Sequence, residues 1–208
     1  MGVEQSLKAF VAAAALVTIT PGLDTALVLR AAAAGGRRSA ILAGLGICLG
    51  CLAWGLIVAV GLGALLAASQ FAYTALKVVG AAYLLYLGAV LLLQRADPSK
   101  MDAAKNARGG HTWFRRGLLT NLLNPKVGVF YTAFLPQFVP TDVNVTTFTM
   151  LLALIHATLG LGWFLVLARF VGSASQIVRD PRISVWLDRA LGGLMVLIGG
   201  RLLTTVRE

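Results

Sequence analysis

Apolar runs long enough to cross a lipid bilayer recur along this chain, and they limit its fold more than any other feature. A spanning helix needs about 20 consecutive apolar residues, so 208 residues leave room for six such helices and little else. Hydrophobic residues make up 58% of the sequence and charged residues 12%, whereas soluble domains keep roughly 25% charged residues. The runs lack the alternation of barrel strands. The sequence therefore predicts an all-α integral membrane protein, because a helix satisfies its backbone within one segment.

The apolar segments predict six transmembrane helices in a single domain over residues 1–208. They cover about 9–29, 40–67, 72–93, 114–138, 146–168 and 185–204. A polar cytoplasmic linker, 94–113, separates the third helix from the fourth. The sixth segment contains Asp188, Arg189 and Arg201, whose side chains could reach the two membrane interfaces. A five-helix arrangement therefore stays open.

Positive charge alternates between successive connections. The net charge is +10, and 13 of the 18 Lys and Arg residues fall in the first, third and fifth connections, while the second and fourth hold none. This alternation predicts that the odd connections are cytoplasmic and that both termini lie outside. It argues against a nucleic-acid partner, because the basic residues are spread over loops that set topology and contact anionic lipids. Glu4 and Lys8 cancel each other, which favours an uncleaved first helix over a signal peptide.

Two prolines interrupt apolar segments at matching places in the two halves of the chain. Pro21 lies in the first segment and Pro125 in the fourth, 104 residues apart. The third and sixth segments also share a short pattern that begins at Gly88 and at Gly199. Three helices per half would invert the second copy, as in transporters that bind substrate near the midplane. We therefore predict a 3+3 inverted repeat with broken helices 1 and 4, against the alternative of two unrelated proline kinks.

The residues at each break favour a helix that restarts inside the membrane. In Thr20-Pro21-Gly22-Leu23-Asp24, threonine is a good N-cap, proline fits the first helical position and glycine adds backbone freedom. In Asn121-Leu-Leu-Asn124-Pro125-Lys126, Asn124 can cap a helix that begins at Pro125. Helix N-termini attract anions, including the carboxylate of an amino acid. The predicted substrate-binding residues are Thr20, Pro21, Gly22, Asp24, Asn121, Asn124, Pro125 and Lys126.

Asp24 and Lys126 are the two most deeply embedded charges. Each costs about 2.5–3.5 kcal/mol at a helix centre on insertion scales, and counting about 1.5 Å per residue places them at similar depths. They could form a structural ion pair between helices 1 and 4. They could also form a site, which we favour, where Asp24 takes a proton or the substrate amine and Lys126 meets the carboxylate. Asn121 and Asn124 share a helix face and could bind substrate or bridge helices.

Three further features, a histidine, a cysteine pair and a glycine motif, could serve function or only helix packing. His156 in helix 5 is a second candidate for proton coupling, although a lone histidine there is more often structural. Cys48 and Cys51 form C-x-x-C in an apolar run without a nearby His, which favours packing over redox or zinc chemistry. No metal or cofactor is predicted. Gly46 and Gly50 form G-x-x-x-G, which favours close helix packing and leaves a homodimer open.

Motifs in three helices carry a resemblance to a known family. The most specific is Asn121-Leu-Leu-Asn124-Pro125-Lys126 followed by Phe134-Leu-Pro136-Gln137-Phe138. With these residues the chain resembles the LysE-type (LysE/RhtB) family of amino-acid exporters over nearly its whole length. Lys77-Val-Val-Gly80-Ala-Ala-Tyr83-Leu-Leu-Tyr86-Leu-Gly88 is similar to that family's third-helix signature. Thr20-Pro21-Gly22-Leu23-Asp24 is similar to its T-P-G-P followed by Asn or Asp, with Leu23 in place of the second proline.

The resemblance implies a secondary transporter in the bacterial inner membrane that exports amino acids or related small zwitterionic metabolites by alternating access. Export in this family is thought to use the proton motive force, so protons are the expected second partner. An intramembrane enzyme or a passive channel stays open as an alternative. An enzyme would need a nucleophile with a base, or a metal cluster. The sequence has no G-x-S-x-G, no H-E-x-x-H and only two His, and it lacks the G-x-x-x-x-G-K-[ST] loop of ATPases, so no enzyme is expected.

Overall fold

The described part of the chain consists almost entirely of helices. The computed structural model describes residues 2–68, 70–93, 110–170 and 181–205, and within these ranges it contains no strand. Most of the predicted linker, 94–109, lies outside the described residues, and 110–113 already belong to a helix. In chain order the elements are α1 Val3–Ile19, α2 Leu23–Ala68, α3 Gln70–Leu93, α4 Gly110–Leu122, α5 Pro125–Val129, a π-helix Phe130–Phe134, a 3-10 helix Leu135–Phe138, α6 Val145–Arg169 and α7 Pro181–Thr205. The prediction of an all-α chain is confirmed.

α2 is too long for a single membrane pass and is interrupted at two glycines. Its 46 residues would extend about 69 Å at 1.5 Å per residue, against a hydrocarbon core of about 30 Å. Gly35 (φ −143°, ψ 17°) and Gly36 (φ 70°, ψ −170°) leave helical geometry, and glycine adopts the positive φ of Gly36 without strain. The arms 23–34 and 37–68 therefore join almost directly. The connection is shorter than the predicted 30–39, because the alanines before Gly35 stay helical.

Among the residues that the structure describes, two stretches of helix are long and apolar enough to cross a membrane. By length and composition these are Leu23–Leu62 within α2 and Val145–Arg169, which is α6; Val78–Leu93 in α3 is a shorter apolar stretch. Large exposed side chains on the helices are apolar as well, among them Leu56, Ile57, Val60, Val79 and Leu197. An exterior of this kind suits contact with lipid. The six spans and the positions of the termini stay predictions.

α2 packs against both α4 and α6, while α3 packs against α7. The contact between α2 and α4 is close because glycines line it. A Cβ at Gly46 would collide with the Phe114 carbonyl oxygen, and one at Gly50 would collide with the Asn121 side chain. The G-x-x-x-G motif therefore serves packing within the chain and gives no argument for a homodimer.

A second glycine contact joins α3 to α7. A Cβ at Gly88 would lie 2.7 Å from the Gly192 carbonyl oxygen, and a Cβ at Gly192 would lie 2.8 Å from the Gly88 carbonyl oxygen. These reciprocal partners are 104 residues apart, as are Pro21 and Pro125. The sequence pattern paired Gly88 with Gly199 instead. The contact and the pattern therefore align the third segment with the sixth at different positions.

The chain after α5 departs from α-helical geometry. It forms the π-helix and then the 3-10 helix, and this helical segment ends near Val139. Short π-helical turns are rare in proteins, and those that occur are often found at functional sites. Three phenylalanines of this segment, Phe130, Phe134 and Phe138, are buried. Phe10 of α1 lies 6.0 Å from the Phe130 ring and 5.5 Å from the Phe138 ring, so aromatic packing joins this segment to α1.

The contact between α2 and α4 yields a stability prediction. Gly46→Ala should lower the Tm of the detergent-purified protein, because the added methyl group forces the helices apart at a typical cost of about 1–3 kcal/mol. Gly61→Ala in the same helix is the matched control, since a Cβ there meets nothing within 4 Å. Tryptophan fluorescence during heating measures both. Equal Tm values for the two variants would contradict the close contact.

Candidate functional site

The first break separates α1 from α2 at residues 20–22. The Thr20 hydroxyl donates to the Leu16 carbonyl at 2.6 Å, and the Thr20 N–H donates to the same oxygen at 3.0 Å. The first bond of α2 runs from the Ala26 N–H to the Gly22 carbonyl at 2.9 Å. The prediction that Thr20 caps α2 with Pro21 at its first position is therefore wrong. A threonine hydroxyl can bond back to the carbonyl four residues earlier, and here it closes α1.

The second break separates α4 from α5, and here the predicted cap is confirmed. Asn124 has an extended backbone (φ −79°, ψ 111°), and its Oδ1 accepts from the Lys126 N–H at 3.1 Å. Pro125 is the first residue of α5, where a missing N–H costs nothing. α5 has only five residues. Because the cap already uses the Lys126 N–H, that group does not face a ligand.

Asp24, in the first turn of α2, joins the two breaks. Asn121 Nδ2 donates to Asp24 Oδ2 at 2.8 Å, and Asn124 Nδ2 donates to Asp24 Oδ1 at 3.2 Å. A carboxylate among apolar helices needs such donors. The two asparagines therefore bridge helices, which is one of the two roles that the sequence left open for them.

Lys126 reaches the end of α1 instead of Asp24. Its Nζ donates to the Val17 carbonyl at 3.2 Å and to the Thr20 carbonyl at 3.0 Å. In the described part of the chain, no ion pair within 4 Å joins Lys126 to Asp24, so the simple structural ion pair between helices 1 and 4 is absent. Asp24 and Asp188 of α7 both still interact electrostatically with Lys126.

A cavity of about 40 Å³ lies between the breaks. Six of the predicted site residues line it: Thr20, Gly22, Asp24, Asn124, Lys126 and His156. Pro21, Asn121 and Pro125 are not among its lining residues. A volume of this size holds a few water molecules at about 10–15 Å³ each, while pockets for organic ligands usually measure about 300–1,000 Å³. The cavity must therefore widen before it can hold an amino acid.

His156 of α6 is buried beside the cavity. Its Nδ1 is hydrogen-bonded to the Tyr131 hydroxyl at 3.0 Å, and its ring centre lies 4.7 Å from that of Phe130. Both neighbours belong to the π-helix, which the sequence did not predict. These contacts fix the orientation of the imidazole next to the polar wall.

Three residues of this region were not singled out as site residues from the sequence. Thr18 and Thr25 line the cavity; the Thr18 hydroxyl oxygen is buried without a hydrogen-bond partner among the described residues. Thr18 is in the last turn of α1 and Thr25 in the first turn of α2, on either side of the break. Asp188, which the sequence suggested was an interface residue, interacts with Lys126. This electrostatic interaction depends on how α7 is placed, which the sequence does not show.

The two cysteines take part in packing. Both are free and buried, and the Cys48 thiol donates to the Ala157 carbonyl at 3.3 Å. Cys51 Sγ accepts from Asn121 Nδ2 at 3.5 Å. Within the described ranges, no group of three or more His, Cys, Asp or Glu side chains could hold a metal ion.

Comparison with known proteins identifies the family that the motifs suggest. A family model described as "LysE type translocator" matches residues 15–206. An uncharacterized membrane protein of Bacillus subtilis, YrhP, is 30% identical over 202 residues, which are 93% of this chain and 96% of the relative. The resemblance seen in the sequence is confirmed, and the chain is a membrane protein.

Two further relatives have names that state a function. The "Threonine efflux protein" of Escherichia coli is 30% identical over 188 residues, covering 87% of this chain and 89% of the relative. The "Leucine efflux protein" of an Enterobacter species is 26% identical over 189 residues, covering 91% and 89% respectively. No solved structure gives a significant match to this chain.

Two asparagine caps allow a matched test of the site. Asn124 and Asn144 each cap a helix through Oδ1, but only Asn124 also donates to Asp24. Asn144→Ala should cost about 0.5–2 kcal/mol for the lost cap. Asn124→Ala should cost about 1.5–3 kcal/mol more, because a charged group also loses a hydrogen bond. Denaturant unfolding in detergent measures both, and equal losses would show that the Asp24 contact is unimportant.

Proposed function

Because the chain belongs to the LysE family of translocators, we propose that it exports amino acids or related small zwitterionic metabolites across the bacterial inner membrane. The names of two relatives, which state threonine and leucine efflux, support this substrate class. The function would be that of a secondary transporter, with protons as the exchanged ion. Membrane lipids would surround its spanning helices.

The observation that carries the proposal is the pair of opposite charges on one cavity between two helix breaks. Asp24 supplies a carboxylate and Lys126 an ammonium group, and both line the cavity. An amino acid carries the complementary pair. Ionisable residues within a membrane are costly and usually functional. In the proposed site Lys126 binds the substrate carboxylate, while Asp24 takes a proton or the substrate amine and His156 is the second candidate for proton coupling.

Alternating access fits the small size of the cavity. A carrier changes the shape of its site during transport, and a cavity of about 40 Å³ has to widen before it can hold an amino acid. A passive channel has no such requirement and would conduct without saturating. We therefore place the carrier ahead of the channel, and also ahead of an intramembrane enzyme, because the names of two relatives state efflux.

Two inverted halves of three helices would provide the moving parts. The breaks lie 104 residues apart, and Gly88 and Gly192, which contact each other reciprocally, have the same separation. Residues related by a two-fold axis meet in this way when they lie near the axis. Six spans in this arrangement, with the odd connections in the cytoplasm, would place both termini outside. A homodimer is not required for this mechanism.

Counterflow in liposomes tests the function. Vesicles that contain the purified protein are loaded with an unlabelled amino acid, and uptake of the labelled form is followed. We expect saturable exchange for at least one amino-acid class, and accumulation when a pH gradient is imposed. If correctly inserted protein exchanges none of the amino acids in a panel, the proposal is contradicted.

Two charge-removing variants test the site. Asp24→Asn and Lys126→Met should each reduce the exchange rate by more than about tenfold, because unpaired charge in a buried site costs 2–5 kcal/mol or more. Asp142→Asn is the matched control, since Asp142 is exposed in the connection before α6 and should exchange like the wild type. Normal exchange in both site variants, at normal membrane levels, would remove the assignment.

A further inference from the structure

The end of α1 presents carbonyl oxygens that no later helical turn can satisfy. The last four carbonyl groups of any helix lack partners within it. Both donors of Thr20 bond to Leu16. The carbonyl oxygens of Val17 and Thr20 receive their bonds from Lys126 Nζ, at 3.2 and 3.0 Å. A side chain from the other break thus closes this helix end.

Several features suit this helix end to a cation. It is the negative end of the dipole of a 17-residue helix. The carboxylates of Asp24 and Asp188 both interact electrostatically with the bound ammonium. Carbonyls at interrupted helices bind cations in transporters built from broken helices. Val17, Thr20 and Lys126 all line the cavity, so the ammonium lies beside the space that a substrate would occupy.

The geometry points to a binding site for a primary ammonium group, formed by the carbonyl oxygens of Val17 and Thr20. Lys126 fills this site in the state described here. The α-ammonium of the substrate fills it when Lys126 turns to the substrate carboxylate. This inference rests on the proposed export of amino acids and assigns the place of the substrate amine within that site.

The exchange leaves no buried charge uncompensated. One ammonium replaces another at the carbonyl oxygens, and Lys126 receives a carboxylate in return. Breaking a buried charged contact without replacement is strongly unfavourable, so a compound with only one of the two groups cannot complete the exchange. Asp24 keeps the amide donors of Asn121 and Asn124 and remains the proton carrier.

The first test measures binding to the emptied site without substrate. In Lys126→Ala the carbonyl pair loses its ammonium, and methylammonium should replace it. We expect methylammonium to raise the Tm of purified Lys126→Ala saturably, on the order of 5 °C. Tetramethylammonium, which has no N–H, should not. Lys8→Ala is the matched control, because Lys8 is exposed and pairs with Glu4; it and the wild type should not respond.

The second test asks whether the substrate amine takes the same place. The methyl esters of threonine and leucine keep the ammonium but lack a carboxylate, and they should raise the Tm of Lys126→Ala as methylammonium does. N-acetylthreonine and N-acetylleucine should leave it unchanged. A folded variant that responds to neither methylammonium nor the esters would overturn the inference.

Folding of the variant provides a further readout. If Lys126→Ala is recovered folded only when methylammonium is present during purification, the site is supported; if methylammonium does not restore folding, the inference fails.

Wild-type counterflow separates the two proposals. If the wild type exchanges amino acids but Lys126→Ala shows no Tm response to methylammonium or the esters, only the ammonium site is contradicted. If Lys126→Ala shows the Tm response but the wild type exchanges no amino acid, the proposed export is contradicted.

Discussion

The cost of holding charge among apolar helices governs this structure, and the two helix breaks meet that cost together. Asn124 at the second break donates to Asp24 beside the first, and Lys126 at the second break closes the end of α1. Each break is satisfied only in part by its own segment, through Thr20 in the first and Asn124 in the second. Since an unpaired charge in such surroundings costs several kcal/mol, the two breaks are expected to form and open as one unit.

The rest of the fold holds this unit in place. Gly50 of α2 lies against Asn121 of α4, so close packing of the two helices sets the position of the amide that binds Asp24. The π-helix brings Tyr131 to His156. Net contributions of single hydrogen bonds are about 0.5–1.5 kcal/mol, rising to about 3 kcal/mol with charged groups. A few such bonds join the two breaks, so opening at the breaks costs less than separating helices that touch along their backbones.

The features that could be predicted from the sequence act within their own segments. Apolar runs gave an all-helical membrane protein, Asn124 and Pro125 gave a capped restart, and the motifs around them gave the family. The features that could not be predicted depend on neighbours distant in sequence. Thr20 serves α1 because its hydroxyl reaches Leu16. A hydropathy scale registers that Asp188 is charged but not which way its side chain faces, so the interaction of Asp188 with Lys126 could not be predicted.

The central claim is that an amino acid binds between the two breaks. An experimental structure in lipid nanodiscs, with a saturating concentration of the exchanged amino acid, tests it most directly. The account predicts an enlarged cavity in which the substrate carboxylate contacts Lys126 Nζ, and this nitrogen has left the carbonyl oxygens of Val17 and Thr20. An amino acid bound elsewhere, with Lys126 still on α1, would contradict it.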